Sequence, residues 1–522
     1  MRPEDSPRQP QKWLALIFLA YWALAFYRID HQSLWVDEVL SVRYAALDGS
    51  LFSRSIWLRG HGPLYFALLH IWGQFGTSEL FLRSLSVLFG SVTIYLMYRI
   101  GVVLWSQRVA LIGAALLATS PFLIWYSQEV RYNALMMATA LLATYAFLRV
   151  LSADRPWWWL AYGASLLLAF AAFVANILLP VIHGLYLTCV RSHRPLWKKW
   201  LTCQILLAAI FLWWANGGTV SRLDGYCLRL YNEMTVSEKQ GLDRSTERLA
   251  SGGAKEVTPT MLPYTVFAFS VGYSLGPSVR ELQVSRSLAT LLPHLPTLLI
   301  LGVLFGGLCG FGLKALWHAP GTGLFLALWI VVSLLGVYAV SAFTGMAYNA
   351  RYAAMAFPAY VLVVALGIGS IRGAAARVSA LVLVLAVNGV ALAHYYFDPR
   401  YGREDARAAV RYLETVYQPR DAILYVGNGT ALHYYNEKDL PLTKFAKGEI
   451  RQWAAVSGRL RELGEAYDRL WLVTIRPWQV DPKGKIKVTL DQSYPVSQEK
   501  HFAGVSVYCY EVSRRHTASS VR

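Results

Sequence analysis

The stretch VALIGAALLATSPFLIWYSQEVRYNALMMATALLATYAFLRV (109–150) decides the fold. Its two apolar runs, 109–126 and 132–150, are each about as long as a helix that crosses a hydrocarbon core. Lipid offers a backbone no hydrogen-bond partner, so runs of this kind must be helical. Between them stand Gln128, Glu129 and Arg131. Ionisable groups at membrane depth are costly, and where they persist they point to a function. The chain therefore reads as a membrane protein with chemistry at the end of its spans.

Outward from this stretch, further apolar runs fall near 13–27, 84–104, 157–175, 177–190, 200–216, 289–312, 321–342, 353–371 and 378–397. The expected architecture is mainly α, a polytopic bundle of about eleven spans. Only 15% of the 522 residues are charged, against about 25% in a soluble chain. This excludes a large soluble protein with buried helices. The 19 Trp and 31 Tyr suit the aromatic belts at membrane interfaces. A net charge of +18 suits anionic lipid, and the basic residues form no single stripe that would mark a nucleic-acid partner. Cys189, Cys203, Cys227, Cys309 and Cys509 form no C-x-x-C pair, and an odd number argues against a complete disulfide framework. The opening residues MRPEDSPRQPQKW lead into a span with no small-residue cleavage signal, so that span reads as retained.

Orientation follows from Lys and Arg in short loops. With the N-terminus cytoplasmic, the cytoplasmic loops are SQR (106–108), LSADRP (151–156), RSHRPLWKK (191–199), Lys314–His318 and IRGAAAR (371–377), nearly all basic. Three longer segments then lie outside: 28–83, 217–288 and the tail from 398. The expected division is a membrane domain, 1–397, and an external α/β domain, 398–522. In the tail, REDARAAVRYLETV (403–416) has helical periodicity, and QPRD (418–421) is a turn. AILYVG (422–427), RLWLVTI (469–475) and AGVSVYCYEV (503–512) read as strands. Gly427-Asn428-Gly429 lacks the third glycine of a nucleotide loop and reads as structural. No internal repeat suggests a transporter built from inverted halves.

Three clusters carry the candidate chemistry. In the first external loop, Asp37 and Glu38 follow Trp35; on a helix Asp37, Ser41 and Tyr44 share one face, and Glu38 points about 100° away. The two acids are therefore expected to have different jobs. PLYFALLHIWGQF (63–75) is short for a span and suits a helix lying in the interface. The second cluster is SPFLIWYSQEVRYNALMMA (120–138), and the third, AYNARYAAMAFPAY (347–360), carries Arg351 and Tyr352. The assigned topology puts all three on one side. Arginine beside lipid suits a phosphate head group, which its planar fork binds through two oxygens. A nearby carboxylate suits a general base acting on an attacking hydroxyl. The plainer alternatives are lipid contacts for Arg28, Arg54, Arg59 and Arg83, a simple ion pair of Glu129 with Arg131, and a helix-dipole charge at Asp37.

WVDEVLSVRYA (35–45), HGPLYFALLHIW (61–72), LFLRSLSVLFG (80–90), SPFLIWYSQEVRYNAL (120–135) and NARYAAMAFPAY (349–360) together resemble the GT-C membrane glycosyltransferases. The group concerned is family 39 and the aminoarabinose-transferase-like enzymes related to protein O-mannosyltransferases. The resemblance covers roughly the first 370 residues. It implies that Asp37 is the catalytic base, with Glu38 its motif partner. It places His61 near the donor phosphate, with Gly62 standing where a proline is usual. It also implies a donor pocket built on Gln128, Glu129, Arg131 and Tyr132, with Arg351 and Tyr352 toward the lipid phosphate. Arg83, inside the third stretch, is grouped with them. Some members need a divalent metal; no D-x-D motif stands in the external loops here, which points to a metal-independent reaction, with Mg or Mn the ions to test.

The expected protein is thus a glycosyltransferase, hexosyl or pentosyl, working at the outer face of a bacterial inner membrane. Its partners are a polyprenyl-phosphate sugar and an acceptor that is lipid A, another glycan, a lipid or a protein. The rival reading is a lipid-linked saccharide flippase, which needs charges along a central path rather than clustered at one face. A non-catalytic scaffold leaves Asp37, Glu38 and Arg131 without a purpose.

Overall fold

The computed structural model describes residues 9–46, 62–216, 257–285, 288–344, 347–445, 450 and 453–512. Every predicted span falls on a helix. These are Gln9–Phe26, Glu79–Leu104, Gln107–Ala118 with Pro121–Ser127, Asn133–Ser152, Pro156–Ala172, Leu178–Cys189, Trp197–Asn216, Leu295–Trp317, Pro320–Thr344, Phe357–Ser370 and Ala374–Phe397. Among the described residues six helices are long and apolar enough to cross a membrane, or seven if the bent pair is one span. The protein is a multi-pass membrane protein.

Helix ends follow local chemistry. Ser78 and Ser106 cap the helices after them by accepting from Phe81 N–H and Val109 N–H. The span 107–127 is broken by 57° because Ser120, extended before Pro121, stops one helix and caps the next. That break turns Trp125, Gln128 and Glu129 out of a straight path. The helix Glu79–Leu104 packs on Asn133–Ser152, which packs on Pro156–Ala172; Leu295–Trp317 packs on Phe357–Ser370. Small residues allow the closest approaches: a Cβ on Gly367 would overlap the carbonyl oxygen of Leu308. Gly62 is governed by the same constraint. Its Cβ would overlap the carbonyl oxygen of Ala171, so the chain carries glycine where the resemblance expects a proline.

By contacts the chain divides into two compact units. Among the described residues, Asp30–Arg43 and the chain from Gly402 onward form one, and the remainder forms the other. The sequence reading drew a single boundary at 397/398; the contacts add Asp30–Arg43 to the C-terminal side.

The C-terminal unit is built on a five-stranded sheet: β1 (Asp421–Gly427), β2 (Leu442–Lys444), β3 (Arg469–Ile475), β4 (Val496–Phe502) and β5 (Val505–Glu511), in the order β2-β1-β3-β5-β4. β1 pairs parallel with β2 and β3, and β5 pairs antiparallel with β3 and β4. Leu424, Leu470, Leu472, Leu460 and Tyr510 fill its core. Burial of one such side chain contributes about 1.5–3 kcal/mol. The expected helix at 403–416 forms as Ala406–Val416, capped by Asp405. Gly427 has φ +116°, and a Cβ there would overlap the Ile475 carbonyl oxygen, so the glycine pair after β1 serves the turn.

Candidate active site

Within the membrane unit, the motif 128–132 is pinned by its surroundings. Gln128 Nε2 donates to the carbonyls of Ala25 and Tyr27, at 2.8 and 2.9 Å. Arg83, 1% exposed, donates to the Ile29 carbonyl at 2.6 Å and lies 3.7 Å from Glu79. These two side chains therefore hold the chain that leaves the first helix. Ser86 Oγ donates to the Glu129 carbonyl at 2.6 Å, and its hydroxyl lies 3.1 Å from that of Tyr65. The Glu129 carboxylate, 1% exposed, accepts from Trp125 Nε1 at 2.9 Å and from Asn133 Nδ2 at 3.1 Å. Both donors stand one turn away, which the i, i+4 spacing in the sequence already allows.

The two arginine motifs meet through aromatic rings. Tyr132 stacks on Phe173 with centroids 4.8 Å apart, and Phe173 stacks on Tyr352 at 5.7 Å. The Arg131 guanidinium lies over the Tyr132 ring at 4.8 Å and that of Arg351 over Tyr352 at 5.3 Å. A row of three rings thus carries a guanidinium over each of its two outer rings. Asn349 caps the 3-10 turn Ala350–Ala356 by accepting from the Arg351 N–H at 3.1 Å. Arg131 is 3% exposed and Tyr132 fully buried. Cation–π contact of this desolvated kind is worth about 2 kcal/mol. Phe173 was missed at the sequence level. It lies near the end of the apolar run 157–175, and no periodicity marks it out within that run.

The helix Val36–Ala46, which belongs to the C-terminal unit as far as Arg43, opens with Asp37 and Glu38 in its first turn and carries Arg43 in its last. This order complements the helix dipole. Ser41 Oγ donates to the Asp37 carbonyl at 2.9 Å. The two acids sit in different surroundings: Asp37 is half-buried, while Glu38 is fully buried. Glu38 accepts from Trp35 N–H at 3.3 Å and from Arg403 Nη1 at 3.4 Å. Beside it, Arg476 pairs with Glu404 through two hydrogen bonds and lies 5.6 Å from the centre of the Trp35 ring. His61 lies outside the described residues.

Glu404 has a pH consequence. Burial pushes its carboxyl up, but the charge and hydrogen bonds of Arg476, joined by a backbone hydrogen bond and the charge of Arg403, outweigh this and hold it below the usual carboxylate value. A folded pKa below the unfolded one contributes stability above the unfolded value, and that contribution is lost as pH falls through the folded one. Glu404→Gln is expected to lower stability at neutral pH by about 1–3 kcal/mol. Acidification should destabilise the variant less steeply than the wild type. Thermal unfolding of the full chain between neutral and acid pH checks this; equal slopes refute it.

Residues 60–215, less than half of the chain, match the family model described as dolichyl-phosphate-mannose-protein mannosyltransferase. No curated protein matches the chain. Among solved structures, it is similar to ArnT from Cupriavidus metallidurans bound to undecaprenyl phosphate. The TM-score is 0.56 at 13% identity, over 96% of this chain and 98% of that one. It is also similar to the oligosaccharyltransferase AglB from Archaeoglobus fulgidus, in complex with an inhibitory peptide and a dolichol-phosphate. There the TM-score is 0.54 at 13% identity, over 96% of this chain and 74% of that one. The chain has the GT-C glycosyltransferase fold. Within that fold, the matched segment 60–215 contains Arg83, Gln128, Glu129, Arg131, Tyr132 and the ring of Phe173.

Proposed function

We propose that the protein transfers a sugar from a polyprenyl-phosphate donor to a cell-envelope acceptor at the outer face of a bacterial inner membrane. The observation that supports this best is the aromatic row with Arg131 over one outer ring and Arg351 over the other, in a chain of GT-C fold. The solved relatives named above hold undecaprenyl phosphate and a dolichol-phosphate, which supports a lipid-phosphate donor.

In this reading Asp37 takes the proton from the acceptor hydroxyl. The hydroxyl oxygen bonds to the anomeric carbon while the carbon–oxygen bond to phosphate breaks. The polyprenyl phosphate leaves with that electron pair, and guanidinium groups neutralise its charge. A single displacement inverts the anomeric centre. Arg131 and Arg351 are assigned to the phosphate, and His61 to its vicinity. Tyr132 and Tyr352 hold the two guanidiniums in plane. Gln128 and Arg83 order the chain after the first helix, and Glu129 anchors the motif through Trp125 and Asn133.

The test is mass spectrometry of envelope lipids, glycans and glycoproteins from a deletion strain. One sugar should be missing and should return with the wild-type gene; an unchanged envelope overturns the reading. The orientation is tested separately. An alkaline phosphatase fusion after residue 400 is expected to be active and one within 191–199 inactive, from the Lys/Arg asymmetry of the short loops. The reverse pattern refutes the assignment of the sites to the outer face.

A further inference from the structure

The segment that carries Asp37 and Glu38 is held from several sides by residues of the C-terminal stretch. Arg403 Nη1 approaches the Glu38 carboxylate to 3.4 Å, with side-chain exposures of 6% and 0%. The Arg403 N–H donates to Gln32 Oε1 at 3.2 Å. Leu34 N–H donates to the Tyr435 hydroxyl at 2.6 Å. Ser33 Oγ donates to the Glu404 carbonyl at 2.8 Å and accepts from Ala406 N–H at 3.2 Å. Arg407 donates to the carbonyls of Asp30 and His31, each at 2.9 Å.

These contacts fall on Asp30 to Leu34, just before the helix Val36–Ala46, and on Glu38 in its first turn, so they flank Asp37 on both sides. A buried carboxylate is tolerated only where it is paired and hydrogen-bonded. Arg403 and the Trp35 N–H supply such partners to Glu38. Adjacent helical side chains are about 100° apart, so fixing Glu38 fixes the rotation of the first turn and the direction of its neighbour. We propose that Arg403 is a positioning residue for the Asp37-Glu38 motif, acting through the buried Glu38 to aim the Asp37 carboxylate. The inference rests on the assignment of Asp37 as base under the proposed function. It gives the C-terminal unit a part in the reaction: it orients the base, whatever the acceptor. Misplacing a reacting group by about 1 Å costs on the order of 10² in rate.

A purely structural ion pair makes different predictions, and the full-length protein separates the two. Arg403→Met is compared with wild type in detergent and in the deletion strain. Hydrogen exchange of the amides 34–43 should quicken at least tenfold. Binding of undecaprenyl phosphate, the probe for the donor, should stay within twofold. The sugar restored to the envelope, per molecule of protein, should fall at least tenfold. The further loss caused by Asp37→Asn should shrink by a similar factor in the Arg403→Met background, because a misaimed base has less to lose.

Wild-type sugar at equal protein level overturns the proposal, as does an Asp37→Asn loss of full size in the Arg403→Met background. If Arg403→Met does not accumulate, Arg403→Lys is read in its place. It keeps the charge but loses the planar fork, and should show the same pattern at smaller size. A deletion strain with an unchanged envelope refutes the proposed function instead. The exchange arm then still decides whether Arg403 orders the motif, and unchanged exchange there overturns the inference by itself.

Discussion

Asp37→Asn is expected to slow sugar transfer by about 10² to 10⁴ while leaving donor binding and stability near wild type. General-base catalysis is worth that much, and the amide has almost the shape of the carboxylate but cannot take the proton. The half-buried setting of Asp37 suits this work, because a base that meets an acceptor hydroxyl cannot be sealed in protein. Glu38→Gln should act differently. Glu38 is fully buried against Arg403, so its substitution loosens the motif rather than removing the base. Its effect on transfer should be smaller, and its effect on stability larger. Binding of the polyprenyl-phosphate sugar, then transfer, is measured on both purified variants. An Asp37→Asn protein that transfers at wild-type rate sinks the base assignment; one that no longer binds donor moves Asp37 to the donor site.

Arg131→Ala carries the second large effect. Arg131 is buried over Tyr132, so its loss removes the fork assigned above to the donor phosphate and uncovers a ring in the aromatic row. Transfer is expected to fall by on the order of 10² or more, the scale of removing one preorganised electrostatic stabiliser. Donor binding should weaken with it, unlike in Asp37→Asn. Arg131→Lys should restore only part of the activity, since lysine keeps the charge but neither stacks nor binds two phosphate oxygens at once. Phe173→Leu offers a control within the same row. It keeps both arginines but breaks the stack that joins Tyr132 to Tyr352, and should weaken donor binding by a smaller factor. The assignment fails if Arg131→Ala, made at normal level, binds and transfers normally.

Asp37 and Arg131 could both be singled out from sequence, but their surroundings could not. The partners of Glu129 lie at i−4 and i+4 on helical turns, so that part of the site was within reach of spacing alone. Arg403, the arginine that pairs with Glu38, lies 365 positions away, and nothing in the composition around it distinguishes it from the other arginines of the tail. The family resemblance groups Gln128, and with it Arg83, with the donor phosphate. Their hydrogen bonds to the carbonyls of residues 25, 27 and 29 give them a structural task that only packing reveals. Gly62 looked like a departure from the expected proline and proved to be a place where no Cβ fits.

The sequence by itself determined the helices, because an unpaired backbone in lipid is so costly that a long apolar run has one solution. It likewise determined β3, β5 and all of β1 but its first residue, Asp421, and the apolar runs of these strands are buried in the sheet. It did not reveal β2, which is three residues long, or β4, whose exposed VSQEKHF forms a charged edge strand without an apolar pattern. The tertiary structure alone decided that Asp30–Arg43 belongs with the chain from Gly402 onward, that Phe173 joins two arginine motifs, and that Arg403 meets Glu38. Local periodicity reports which face of an element is apolar. Which distant face it meets is set by burial and hydrogen bonding summed over the folded chain, and no short stretch of sequence contains that sum.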